Sequence, residues 1–245
     1  MSPRHEPLVV LVHGAWHGAW CWAALQAELD RRGIASIALD LPGHGASSLP
    51  LGDLHGDSAH VVAVLERLQR DQASERDIVL VGHSYGGAVI TEAAASCPSV
   101  KHLIYLTAFA LNDGESVRLV RSEMPRAETL LSSASRPHTE GTTVIETSLA
   151  QAALYGCCPD GVAEAAIARL GPQPIATFLQ TVSGSPRSTI PSTYVCCELD
   201  EAINIVHQRL MAERCDRVVT LRTDHSPFAS MPEATADIIE SVVRP

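Results

Sequence analysis

The chain has 245 residues, of which 46% are hydrophobic and 19% charged, a composition that supports one large domain with its own core and excludes a disordered chain. With 18 Lys and Arg against 28 Asp and Glu, the formal net charge is -10. An acidic chain repels phosphate backbones and anionic lipid, so neither nucleic acid nor a membrane is expected as a partner.

The elements run in chain order. LVVLVHG (8–14) is a β-branched run ending in glycine, which predicts a buried strand and a turn. WCWAALQAELDRRG (20–33) has helical periodicity and a glycine stop, and IASIALD (34–40) predicts a second strand. LPGHGASSLP (41–50) is a loop dense in Gly, Pro and Ser. Residues 57–71 set Val61, Val62, Leu65 and Leu68 at helical spacing, with Asp57 expected as the N-cap. DIVLVG (77–82), SYGGAVITEAAASC (84–97) and KHLIYLTAF (101–109) predict strand, helix and strand.

Residues 112–190 then break the rhythm, with short helices expected at 148–157 and 161–171. It resumes with STYVCC (192–197), a helix near 203–214, RVVTLR (217–222) and a last helix near 231–243. Alternating strands and helices predict an α/β protein with a mostly parallel, doubly wound sheet of about six strands. Residues 1–111 and 191–245 would form this core domain. Residues 112–190 would form a helical cap, because they come after a strand whose C-terminal end faces the ligand crevice of such a sheet.

Gly82-His83-Ser84-Tyr85-Gly86 fits G-x-S-x-G between a predicted strand and a predicted helix. A nucleophile on so sharp a turn needs small neighbours, and the helix start beneath it offers unpaired N–H groups to a developing oxyanion. A Gly-rich β–α turn alone produces the same match, so a nucleophilic role for Ser84 requires a base and an acid later in the chain. A serine hydroxyl needs a base, and the base needs an orienting carboxylate, expected in the chain order Ser, acid, His. Four histidines lie beyond Ser84: His102, His138, His207 and His225. Only His225 occupies the loop after the last strand, so it is the expected base. Asp200, three residues past STYVCC, is the favoured acid; Glu198, Asp224 and Asp113 are the alternatives.

The oxyanion donors expected are the backbone N–H of Tyr85 and that of Ala15, in the loop after the first strand. His13 and His17 have i, i+4 spacing but no accompanying helix or carboxylate ligand, so no metal is expected and His13 is read as bracing this loop. Trp16, Tyr85, Phe109, Tyr155 and Phe178 are the expected walls of an apolar pocket.

The early apolar run Leu8–Val12 is shorter than a secretory core, and no stretch reaches the ~18 apolar residues of a membrane span. The seven cysteines are odd in number, lack C-x-x-C spacing and include two adjacent pairs, which predicts reduced, mostly buried thiols in a cytoplasmic protein.

With LVHGAWHGAWCW, DLPGHGASS, GHSYGGAV, ELDEAI and TDHSPF in this order, the chain resembles the α/β-hydrolases, most of all the branch of plant methyl-ester esterases, hydroxynitrile lyases and bacterial carboxylesterases. The resemblance implies Ser84 as nucleophile, His225 as base, Asp200 as acid and the amides of Ala15 and Tyr85 as oxyanion hole. Two departures argue against lyase activity: Gly14 stands where the lyases carry Thr, and Ser226 where they carry Lys. Relatives commonly show a basic residue and a proline flanking the acid turn, and Glu201 and Asn204 stand in that stretch here. The expected function is a serine carboxylesterase for small hydrophobic esters, with no cofactor and a homodimer compatible with the sequence. A thioesterase, a lactonase, a cofactor-free perhydrolase or a non-catalytic binder of small ligands are the alternatives.

Overall fold

The computed structural model describes residues 6–71, 76–139 and 141–244. Strand and helix alternate through β1 (Leu8–Val12), α1 (Ala23–Arg31), β2 (Ser36–Leu39), α2 (Leu54–Asp71), β3 (Ile78–His83), α3 (Gly86–Ala94) and β4 (Val100–Leu106). An insertion comes next, with α4 (Val117–Glu123), α5 (Leu130–Ala134), β5 (Ser135–Pro137), β6 (Thr142–Ile145), α6 (Thr147–Leu154), α7 (Asp160–Ile167), β7 (Gln173–Pro174) and α8 (Ala176–Leu179). The chain closes with β8 (Ser192–Cys197), α9 (Ile205–Ala212), β9 (Arg217–Leu221), α10 (Pro227–Ser230) and α11 (Pro232–Val243).

Six strands form one sheet in the order β2-β1-β3-β4-β8-β9, and every neighbouring pair is parallel. Successive side chains of a strand point to opposite faces, and both faces are covered here. Leu8, Val10 and Val12 of β1 join a core that includes Leu54, Val61 and Leu65 of α2 and Val89 of α3. Val9 and Leu11 join a second core with Leu25 and Leu29 of α1 and Ile238 and Ile239 of α11. Double coverage is why these strands are apolar at nearly every position. Each Val or Leu buried this way contributes about 1.5–3 kcal/mol.

The strand order turns at β1. The chain leaves β1 toward α1 on one face and leaves β3 toward α3 on the other. The loops after β1 and β3 therefore flank a crevice at the C-terminal edge, where ligands of such sheets bind. The insertion emerges from β4 and returns to β8, its neighbour in the sheet, with Tyr105 opposite Tyr194.

The insertion is not purely helical, in contrast to the expectation from sequence. It holds a three-stranded antiparallel sheet, β5-β6-β7, in which Thr143 pairs with Gln173. Strands of two to four residues without a β-branched run exist only through such long-range pairing, so no local pattern announces them. Asp57 is also not the N-cap of α2. The helix starts at Leu54, and Asp53 accepts from Gly56 N–H at 2.8 Å. Asp57 turns inward and is buried.

Candidate active site

Ser84 lies directly after β3 with φ 51°, in the left-handed region that a residue with a Cβ enters at a cost of about 1–3 kcal/mol. The glycines on either side allow the turn to close. A Cβ on Gly86 would lie 2.6 Å from the carbonyl oxygen of Val12 and 2.7 Å from that of His13. A Cβ on Gly82 would lie 2.5 Å from the carbonyl oxygen of Gly86. Both positions are pressed against backbone, which cannot give way as a side chain can.

Among the described residues, two other non-glycine residues share this conformation: Trp16, φ 64°, after β1, and Thr107, φ 39°, after β4. All three lie past the C-terminal ends of adjacent strands, and strain of this kind persists only where surrounding structure over-determines it.

His225 lies between β9 and α10, and its Nδ1 is 2.7 Å from Oδ2 of Asp200, with both side chains buried. Asp200 lies just past β8 and is held on every side. Its Oδ1 accepts from Ala202 N–H at 2.6 Å and Ile203 N–H at 2.8 Å. Its Oδ2 also accepts from Gln208 Nε2 at 3.2 Å and from the hydroxyl of Thr107. With these donors around it, Oδ2 faces Nδ1 of His225 as an acceptor, which orients the ring and sets its tautomer with the proton on Nδ1.

The other carboxylates lie elsewhere. Asp224 accepts from Ser226 N–H at 3.0 Å and Cys157 N–H at 2.7 Å. Asp113 accepts from Gly184 N–H at 2.8 Å, and Glu198 is exposed. No hydrogen bond joins the Ser84 hydroxyl to His225. They are linked through His83, whose Nε2–H donates to the carbonyl of His225 at 2.8 Å, with ring centroids 4.6 Å apart. Bonds between nucleophile and base are commonly long in unliganded sites and tighten around substrate.

The backbone N–H groups of Ala15 and Tyr85 have no acceptor among the described residues. Both residues line the same cavity as Ser84. Four buried histidines surround them, and burial disfavours the charged form of each. His13 donates through Nδ1 to Gly14 C=O at 2.8 Å and accepts from Leu41 N–H at 3.1 Å. His17 donates to Ala15 C=O at 2.7 Å and accepts from the Tyr155 hydroxyl at 2.6 Å. Burial is the main cause holding His13 and His83 well below the usual imidazole range and His17 down to about 4; it also lowers His44.

The cavity holds about 560 Å³. Trp16, Tyr85, Phe109 and Phe178 line it, with Leu131, Ile175 and Leu179 from the insertion. Tyr155, expected on this wall, is not part of it. It caps the C-terminal end of α6 and is fully buried, with its hydroxyl on His17. Aromatic type and chain position within the insertion do not dictate which way a ring faces.

Thr107, Gln208 and Asp57 carry no sequence signal for the site. Each acts through a partner distant in the chain or across helical turns, and only folding makes those contacts. Asp57 Oδ2 accepts from the Tyr85 hydroxyl at 2.7 Å, and its Oδ1 has no partner among the described residues. Burial outweighs this bond and pushes its carboxyl up to about 7. The folded state thus holds a proton that the unfolded chain has released by about pH 4, and stability falls as pH rises from there through 7. Asp57→Asn removes this cost and keeps an acceptor for Tyr85. The variant should gain on the order of 2–4 kcal/mol over wild type at about pH 7–8. Urea-unfolding free energies that change with pH in the same way for the two proteins would disprove it.

A family model described as alpha/beta hydrolase matches residues 9–238. The chain belongs to the alpha/beta hydrolase family. This hydrolase is 27% identical over 248 residues to the putative methylesterase 11, chloroplastic, of Arabidopsis thaliana, covering 96% of this chain and 63% of that protein's length. It is 29% identical over 242 residues to a pFDCC methylesterase of the same plant, covering 93% and 91% of the two. Among solved structures, a pyrethroid hydrolase from Sphingobium faniae JZ-2 superposes with a TM-score of 0.83 at 27% identity, over 97% of both chains. Among the described residues of this hydrolase, no helix is long and apolar enough to cross a membrane.

Proposed function

We propose that this hydrolase is a serine carboxylesterase for small, hydrophobic carboxylic esters. Ser84 Oγ attacks the ester carbonyl as Nε2 of His225 takes its proton. The tetrahedral oxyanion accepts hydrogen bonds from Ala15 and Tyr85 N–H. His225 returns the proton to the departing alkoxide, leaving an acyl group on Ser84. A water deprotonated by His225 then releases the acid. Asp200 keeps the imidazole in the required tautomer and stabilises the imidazolium.

The observation that carries this reading is the buried Asp200–His225 pair, its carboxylate held by five donors, beside a strained serine on an apolar cavity with two free N–H groups. The names of the relatives, methylesterases and a pyrethroid hydrolase, agree with it. A largely apolar lining around 560 Å³, with Arg118 and Arg121 on its insertion side, suits an acyl or alkyl group of modest size. On this reading residues 112–190 are a cap that supplies most of that lining. The seven free thiols support a reducing, cytoplasmic location.

Titration with a fluorophosphonate, with peptide mass spectrometry and p-nitrophenyl butyrate turnover as readouts, tests the assignment. Turnover should fall in proportion to labelling of Ser84. Full labelling of Ser84 with turnover intact, or lost turnover with Ser84 unlabelled, would remove it from the nucleophile role.

A further inference from the structure

The loop that carries Ala15 is held from the insertion at Trp16 and at His17, and Trp16 is the anchor that adjoins the proposed donor. Trp16 sits immediately after the proposed oxyanion donor in a left-handed conformation, φ 64°. Three hydrogen bonds grip it, and all come from residues 143–173. Its backbone N–H donates to Gln173 Oε1 at 3.1 Å. Its carbonyl accepts from Gly171 N–H at 2.8 Å. Its indole Nε1–H donates to Thr143 Oγ1 at 3.2 Å. Thr143 and Gln173 are partners in the β6–β7 pairing, so one rung of the small sheet holds both backbone and ring.

Gln173 is fully buried, and each of its amide atoms is engaged. Oε1 also faces Nε2 of His44 at 3.0 Å. Nε2 donates to Thr177 Oγ1 at 2.9 Å, and that hydroxyl donates to Pro174 C=O at 2.6 Å. These bonds fix which way the amide points: reversing it would set an NH₂ against Trp16 N–H. A buried amide so constrained, spanning 157 residues to reach a strained backbone, holds that backbone rather than the solvent-facing cavity.

We propose that Gln173 is a positioning residue for the oxyanion hole: it latches Trp16 and so keeps the N–H of Ala15 turned toward the Ser84 cavity. The catalytic consequence rests on the esterase reading above; the latch itself does not. Without the latch, Trp16 keeps its bonds to Gly171 and Thr143 but loses the one on its N–H, so the Ala15–Trp16 peptide is less constrained and the neighbouring peptide that carries the Ala15 donor is held less firmly. Oxyanion donors stabilise the transition state far more than bound ester, so the loss falls on kcat rather than KM.

Gln173→Met preserves length and removes the acceptor. Hydrogen–deuterium exchange resolved to the Trp16 amide should run at least tenfold faster in the variant, by loss of its acceptor. With p-nitrophenyl butyrate, kcat per fluorophosphonate-titrated site should fall about 10- to 100-fold, with KM within about threefold. The Ki of a trifluoromethyl ketone, which forms a tetrahedral oxyanion, should rise by the same factor as kcat/KM falls. Gln173→Glu keeps an acceptor for Trp16 and should recover kcat to within about fivefold. It also stands in should the Met variant fail to fold: a Glu variant with wild-type exchange at Trp16 supports the latch, and one with fast exchange contradicts it. Unchanged exchange in Gln173→Met overturns the latch whatever the enzyme hydrolyses. Faster exchange with unchanged kcat per site overturns the link to the oxyanion hole. An inactive, unlabelled wild type with fast-exchanging Gln173→Met would instead sink the esterase reading and leave the latch standing.

Discussion

Ser84→Ala is expected to lower kcat for p-nitrophenyl butyrate by about 10⁴- to 10⁶-fold, with KM changed only a few-fold. The hydroxyl is the group proposed to form the acyl-enzyme, and without it the two-step route closes. A residual rate should persist, because the free N–H groups of Ala15 and Tyr85 still face a bound ester and a water can attack directly. Alanine keeps a Cβ in the left-handed conformation, so the strain of the turn carries over and stability should change little. Circular dichroism and the melting temperature check that the fold survives. A loss under about tenfold in a folded variant would mean that another group attacks the ester.

The second large effect is expected at the proposed acid. Asp200→Asn should cost about 10³- to 10⁴-fold in kcat, through the tautomer of His225 rather than through charge alone. The direction of the new amide is dictated by the site. Oδ1 accepts from the N–H groups of Ala202 and Ile203, so the oxygen of the asparagine must stay there. The NH₂ then replaces Oδ2 and donates to Nδ1 of His225, which sends the ring proton to Nε2. An Nε2 that already bears a proton does not take one from Ser84. The Thr107 hydroxyl can rotate to accept, whereas Gln208 Nε2–H is left facing a donor. Some stability is therefore lost as well, on the order of 1–3 kcal/mol. Glu198→Gln, at an exposed site, should leave kcat within about twofold. Comparable losses in the two variants would shift the acid away from Asp200.

The pattern of elements is legible because each strand of the parallel sheet must be apolar on both faces and each helix on one. Runs such as Ile78–Val81 and spacings such as Val61 to Leu65 display this without any partner in view. The insertion is poorly legible for the opposite reason. Its strands are two to four residues long, and β6 finds β7 across about thirty residues of chain. The sequence pattern misleads at Asp57, where a residue of good capping chemistry is drawn inward by a tyrosine hydroxyl.

In the site, Ser84, His225 and Asp200, the proposed nucleophile, base and acid, are legible because each sits at a turn whose chemistry is local: glycines at ±2, or a loop directly after a strand. Thr107 carries the same left-handed strain as Ser84, yet no glycine or motif marks it. Gln173 lies in a polar stretch without a motif, and Tyr155 has the right residue type in the wrong orientation. Local pattern is enough for the order of elements, the elbow and the candidate reacting groups, because backbone sterics and side-chain periodicity act between neighbours in the chain. Which side chain holds which is decided only on folding. The bonds from Thr107 to Asp200, from Gln208 to the same carboxylate and from Gln173 to Trp16 depend on distance and direction in space, and residues far apart in the chain acquire these only when the core closes.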